Sequence, residues 1–302
     1  MNQGFRFHIA KYQDDGIHIC PMCGRRSFTY YVSRKGRRVN DEARGIYYGI
    51  CSHRNSCGYV NYPNGVPDPD NDDNYKPSDA EAQERERPKV EPVFYDMQLV
   101  RSTGKPYAGC LIQYLSRIHT PNLDYQLQNY MIGATRDGGT IFWSIDQKNR
   151  VHRGKIMYYK PDGHRIKDEE GNGKVSSVRV KMHRSKDIEP AHCYFGEHLI
   201  SQNPDKVIGI VESEKTALIC SCFFPEQIWI ATGSKNNLHS QYCEAIKGRR
   251  VVVYPDYDAF AEWERKMEFI GKALQVDYSM DDTILKMGDN KQDLADLLLQ
   301  TL

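Results

Sequence analysis

Two short apolar runs, each ending abruptly on acid, constrain this chain more than any other feature. The first is Val-Ile-Gly-Ile-Val-Glu at 207–212, continuing as Ser-Glu-Lys-Thr-Ala-Leu to Leu218. The second is Val-Val-Val-Tyr-Pro-Asp-Tyr-Asp at 251–258. Continuous apolar, β-branched runs suit strands covered on both faces, as in a parallel sheet between helices. In open sheets of that kind, ligands bind beyond the carboxyl ends of the strands. Glu212, Asp256 and Asp258 are therefore expected to converge at one sheet edge. Carboxylates gathered with no Cys or His among them suit a hard divalent cation, Mg²⁺ or Mn²⁺. The plainer alternative is that these acids only cap helices, for which Glu-Ser-Glu is well suited.

The residues around these runs read as an αβ alternation. After the first strand comes a helix over 213–224, a strand over 227–232, and a loop opening Gly233-Ser-Lys-Asn-Asn. A helix over 239–247, the second acid-ended strand, an amphipathic helix over 260–274, a strand over 275–279 and a helix over 292–299 follow. Asp293 and Asp296 open the last helix. They either complete the acidic cluster or simply favour the positive helix end.

Nine cysteines in a chain of 302 residues, with no apolar core of a signal peptide in residues 1–10, point to a reducing compartment and to metal rather than disulfides. No stretch approaches the ~20 apolar residues that span a bilayer, so the expected setting is cytoplasmic, with no membrane partner. Cys20-Pro-Met-Cys23-Gly is a zinc knuckle, and Cys51-Ser-His-Arg-Asn-Ser-Cys57-Gly supplies a second half. Four thiolates fill a tetrahedral structural Zn²⁺ site and leave no open position. The five-residue gap between Cys51 and Cys57 is wide for a ribbon, which makes His53 an alternative ligand. Alternating aromatic stretches over 27–32 and 45–50 read as the ribbon's strands.

Between the two knuckles lie Arg34, Lys35, Arg37 and Arg38, flanked by Phe28, Tyr30, Tyr31, Tyr47 and Tyr48. Cations that follow phosphates beside aromatics that stack on bases suit single-stranded nucleic acid, although a solvated hairpin tip reads the same way. Residues 66–92 are Asp-, Asn- and Pro-rich with little to bury, and read as a linker. From 93 onward the composition is globular again, with a helix over 108–118 and a hairpin of strands over 139–146 and 151–159. The net charge is only +1, yet residues 150–186 hold eleven Lys and Arg against four acids. Such segregation, including Arg153 and Lys155, suits a phosphate-lined groove.

A strand ending in Glu, then a helix, then a strand ending in Asp-x-Asp resembles the TOPRIM domain of bacterial-type primases, topoisomerases and some nucleases. The whole chain resembles primase-like proteins of bacterial mobile elements and, in its order of modules, bacterial replicative primases. The resemblance rests on Cys-Pro-Met-Cys-Gly, Cys-Gly-Tyr at 57–59, Ile-Phe-Trp-Ser-Ile-Asp at 141–146 and Gly-Lys-Ile-Met-Tyr-Tyr at 154–159. Phe-Gly-Glu-His-Leu at 195–199 and Val-Glu-Ser-Glu-Lys-Thr-Ala at 211–217 carry it most specifically.

It implies an α+β chain in four parts: a zinc-ribbon β module (1–65), a linker (66–92), a basic mixed α/β subdomain (93–200) and an α/β TOPRIM domain (201–302). It further implies nucleotidyl transfer with divalent metal on Glu212, Asp256 and Asp258, and Lys215 near phosphate. The implied partners are single-stranded DNA or an RNA–DNA duplex, nucleoside triphosphates and a helicase. One departure stands out: Ser213 replaces the glycine that usually follows the glutamate, which narrows the backbone's approach to phosphate. A non-catalytic nucleic-acid-binding accessory and a TOPRIM nuclease are the competing functions.

Overall fold

The structure is a computed structural model that describes residues 7–22, 24–41, 46–53, 57, 59–63, 66, 69–70, 94–182, 192–288 and 292–302. Cys23, Arg184, Lys186 and most of the expected linker lie outside the described residues. The chain divides into two compact units, Met1–Glu91 and Pro92–Leu302.

The first unit is built on β3 (Arg26–Ser33), the longest of its strands, which every neighbour uses as a template. β1 (Phe7–Ile9) and β2 (His18–Ile19) both pair with it antiparallel. β4 (Asn40–Asp41) and β5 (Ile46–Tyr47) make a separate ribbon. β6 (Gly49–Cys51) pairs with β3, and β7 (Val60–Asn61) pairs with β6. The aromatic alternation of β3 buries Phe28 and Tyr30, with edge-on ring contact at 4.9 Å between them.

In the second unit an antiparallel sheet precedes a parallel one. β8 (Gly133–Ala134), β9 (Thr140–Ile145), β10 (Val151–Met157) and β11 (Val175–Ser177) run in the order β11-β10-β9-β8. All of β9 is buried. Its residues split by pleat: Phe142 joins the main core, while Ile141, Trp143 and Ile145 join a second core with Val100, Val151 and Val178. Both faces of this sheet are thus covered.

The parallel sheet consists of β12 (Ile208–Val211), β13 (Ile228–Ala231), β14 (Arg250–Val253) and β15 (Asp277–Met280), in the order β13-β12-β14-β15. Every residue of β12 and β13 is buried, as continuous apolar runs require. The Glu214–Phe223 and Phe260–Leu274 helices supply Leu218, Ile219, Trp263, Met267 and Ile270 to the same core. At about 1.5–3 kcal/mol for each fully buried large apolar side chain, this burial is the main force holding the sheet. The outer edge of β13 is closed by Phe195, which bridges Ala231, and by the Tyr130 hydroxyl, which donates to Trp229 O and accepts from Trp229 N.

One expected element differs. Residues 239–247 form two short 3₁₀ turns, Ser240–Tyr242 and Glu244–Ile246, instead of one helix. Cys243 and Ile246, both buried, are three residues apart, the repeat of a 3₁₀ turn. Among the described residues, no helix is long and apolar enough to cross a membrane.

Candidate metal centres

In the first unit the knuckle turn returns on itself through hydrogen bonds from Cys20 N to Arg25 O and from Gly24 N to Cys20 O. Gly24 holds φ +66, a conformation that favours glycine. The turn and β6 bring Cys20, Cys51 and Cys57 together: all three are buried, with sulfurs within 4.8 Å of one another. The Cys20 and Cys57 sulfurs are 3.7 Å apart. With Zn–S near 2.3 Å, the edge of a tetrahedral sulfur site is about 3.8 Å, so the trio fits a structural zinc. His53 is exposed and stands outside the trio.

The basic hairpin beside them is partly engaged by acids. Arg38 pairs with Asp15 at 2.7 Å and lies over the Tyr30 ring at 4.8 Å, while Arg37 lies 3.7 Å from Asp70.

At the carboxyl ends of the parallel sheet, Glu212 follows β12 directly, and Asp256 and Asp258 lie three and five residues past β14. Ser213 caps the helix that follows Glu212, its hydroxyl accepting from Thr216 N. The Thr216 hydroxyl reaches Asp293 at 3.0 Å, drawing a fourth acid to the edge. Asp293 also caps the Leu294–Leu299 helix in a reciprocal box with Asp296, the helix-end role expected of it.

The electrostatics show that these acids feel one another. Burial, then repulsion from Glu212, Asp293 and Asp258, pushes the Asp256 carboxyl up to about 7. Burial also raises Glu212, with a further push from Asp258, against a hydrogen bond from the Lys235 backbone. Removing several carboxylates from water and placing them near one another disfavours ionisation, and a bound dication would reverse both effects. The donor chemistry therefore fits Mg²⁺ or Mn²⁺.

The site is open, however. Among the described residues, the one trio of Cys, His or acid side chains whose ligand atoms all lie within 4.8 Å of one another is the cysteine trio.

Cations occupy the spaces between the acids. Lys235, in the loop after β13, places its ammonium 2.9 Å from Asp258 Oδ2. Lys155, on β10, reaches Glu214 at 2.8 Å and donates to Gly233 O at 3.0 Å. Lys215 lies 3.2 Å from Asp296. Arg165, in the hairpin after β10, favours the ionised forms of both Glu212 and Asp256. Gly233 has φ +78, a conformation that favours glycine, and an added Cβ would lie 2.8 Å from Glu214 Oε1.

Lys155, read from sequence as a nucleic-acid contact, is turned into this edge, while the Arg153 guanidinium meets His192. Lys235 was not singled out in the sequence. Its one available signal was a lysine two residues after a glycine at a strand's carboxyl end.

A family described as a domain of unknown function (DUF6371) matches residues 110–257, and a zinc beta-ribbon finger family matches residues 5–71. No curated protein matches the chain. Among solved structures, the chain is similar to the E. coli primase catalytic core, at 12% identity over 68% of this chain and 74% of that one, with TM-score 0.42. It is similar to the primase fragment of the bacteriophage T7 primase-helicase, at 15% identity over 58% and 70%, with TM-score 0.35. It is also similar to the zinc-binding and RNA polymerase domains of the Aquifex aeolicus primase, at 12% identity over 98% and 77%, with TM-score 0.37.

Proposed function

We propose that this chain is a primase-like nucleotidyltransferase acting on single-stranded DNA, with a divalent cation in a TOPRIM-type site and a structural zinc in its ribbon. One observation carries the reading: Glu212, Asp256, Asp258 and Asp293 line the carboxyl edge of a parallel sheet, where burial and then mutual repulsion raise the Asp256 carboxyl to about 7. Asp293 also caps its helix and Asp258 pairs with Lys235, but the half-buried Glu212 and Asp256 repel each other, and a cation would offset that repulsion.

Glu212, Asp256 and Asp258 would hold the cation, with Asp293 close by. Bound there, Mg²⁺ or Mn²⁺ neutralises triphosphate charge and favours the ionised 3′-hydroxyl. The Lys235 backbone and Arg165 both favour the ionised Glu212, and Arg165 supplies positive potential for an anionic substrate. The N-terminus of the Glu214–Phe223 helix, capped by Ser213, opens toward the same edge and adds to that potential. The exposed cations of 150–186, apart from Arg153 and Lys155, and those of the Arg34–Arg38 hairpin would hold template and product through phosphates. The sequence resemblance supplies the setting, replication of a mobile element, with a helicase as partner.

Purified protein with Mn²⁺ or Mg²⁺, labelled nucleoside triphosphates and single-stranded DNA tests the reading. Extended products support it. Shortened template would instead assign a nuclease using the same carboxylates, and DNA binding with neither would assign an accessory role.

A further inference from the structure

The Lys235 loop is held with more care than an ordinary surface turn. The Lys235 carbonyl accepts from Trp263 Nε1 at 2.9 Å and from Lys266 Nζ at 3.4 Å. Trp263 and Lys266 are both fully buried, and Lys266 is neutralised by Glu262 at 2.9 Å. Thr232 Oγ1 donates to Ser234 O, and Asn237 Nδ2 donates to Thr232 O, so the loop is cross-tied on its own side too.

The result is a lysine whose backbone is fixed by the core and whose side chain, among the described residues, is held by Asp258 alone. Its ammonium lies 2.9 Å from Asp258 Oδ2 and also donates to the Asp258 main-chain carbonyl. The Asp258 side chain is 70% exposed, so Lys235, and not packing, decides where that carboxylate points. This pairing turns one of the three expected metal ligands toward a cation that the chain itself supplies.

We propose that Lys235 is an internal counter-ion that competes with the divalent cation for Asp258 and, once displaced, takes a phosphate oxygen of the nucleoside triphosphate. The proposal deepens, and rests on, the metal-dependent reading of this site. An ammonium and a dication repel when they share one carboxylate, so each weakens the other's hold on Asp258. The exchange needs only a rotation of the lysine stem, because the loop backbone is pinned by Trp263 and Lys266. A released ammonium beside a bound dication then faces the metal's own anionic ligands, where a charge-assisted bond to phosphate is strong. Lys235 would thus weaken metal binding before substrate arrives and strengthen substrate binding afterwards.

The test uses the full chain and its Lys235→Met variant, which keeps the stem and every backbone contact of the loop. Mn²⁺ alone is titrated by melting temperature and by electron paramagnetic resonance. ATP is then titrated at saturating Mn²⁺. Lys235→Met is expected to bind Mn²⁺ about three- to tenfold more tightly and ATP about tenfold more weakly. In an Asp258→Asn background its effect on Mn²⁺ should shrink to less than about twofold. A merely structural lysine would not move the two ligands in opposite directions.

Unchanged or weaker Mn²⁺ binding in Lys235→Met, while Glu212→Gln still abolishes binding, overturns the counter-ion role and leaves the metal site standing. Tighter Mn²⁺ with unchanged ATP overturns the phosphate role. No Mn²⁺ bound by the unaltered chain overturns the metal reading and this inference together.

Discussion

The two clusters of ligand-type side chains in this molecule are built on opposite plans. Cys20, Cys51 and Cys57 are buried and closed, with two sulfurs at the 3.7 Å expected of a tetrahedral edge. Glu212, Asp256, Asp258 and Asp293 are spread along a sheet edge, with Lys235 holding one of them aside. Buried thiolates brought together from a glycine-bearing turn and β6 fit one structural ion. Carboxylates at strand ends, interleaved with lysines, are poised to exchange one charge for another. The difference separates a cluster that fits a structural ion from one proposed to hold a chemically active ion, and each of the following experiments presses on it.

The largest effect is expected at the closed cluster. Structural zinc contributes on the order of 10 kcal/mol to small modules. Strong chelation, or Cys51→Ser with Cys57→Ser, should make the Met1–Glu91 unit sensitive to limited proteolysis and remove zinc from elemental analysis. The Pro92–Leu302 unit should keep its melting transition. A protease-resistant ribbon without zinc would place the cysteines in an ordinary core.

Next comes Lys155→Met. It strands Glu214, whose side chain is 7% exposed, beside a loop that depends on Lys155 through Gly233 O. Breaking a buried pair costs about 3–5 kcal/mol, and the 24% exposure of Lys155 brings that to roughly 2–3 kcal/mol in urea unfolding. A loss below about 0.5 kcal/mol would show the pair is solvated.

The open cluster also predicts a pH dependence of definite sign. The Asp256 carboxyl rises from its ordinary 3.8 to about 7 in the folded chain. Between those values the folded state holds more protons than the unfolded one, so this group's contribution to stability falls as pH rises from about 4 to 7. The full distance corresponds to at most about 4 kcal/mol. His192, lowered by burial to about 3, acts in the opposite direction, so the difference from Asp256→Asn isolates the effect. Metal-free Asp256→Asn should gain on the unaltered chain between pH 5 and 8. Parallel pH profiles would mean that Asp256 titrates as an ordinary carboxylate.

A smaller effect is expected at the basic hairpin. Replacing Arg34, Lys35, Arg37 and Arg38 together with Ser should weaken single-stranded DNA binding and flatten its salt dependence. Because Arg37 and Arg38 already have Asp70 and Asp15 nearby, the slope should fall by less than four full phosphate contacts. An unchanged slope would leave the hairpin a solvated tip.

What was legible beforehand follows from the range of each interaction. β12 and β14 announced themselves because burial on both faces demands uninterrupted apolar residues, and the acids at their ends are local features. The Phe260–Leu274 helix carried its own 3.6-residue pattern. The cations were not legible, because their partners are distant in sequence. Lys155 meets Glu214 59 positions on, and Lys235 owes its place to Trp263, 28 positions away. Residues 239–247 misled as a helix because apolar spacing over a few residues does not separate α from 3₁₀ turns.

Everything proposed for the sheet edge depends on a bound cation. Thermal melting of the unaltered chain, Glu212→Gln and Asp256→Asn at pH 8, each with and without Mn²⁺ or Mg²⁺, tests it directly. The prediction is that metal raises the melting temperature of the unaltered chain only, while both variants melt at or above it in metal-free buffer. A metal-induced rise retained in both variants, or variants that melt well below the metal-free parent, would contradict the account.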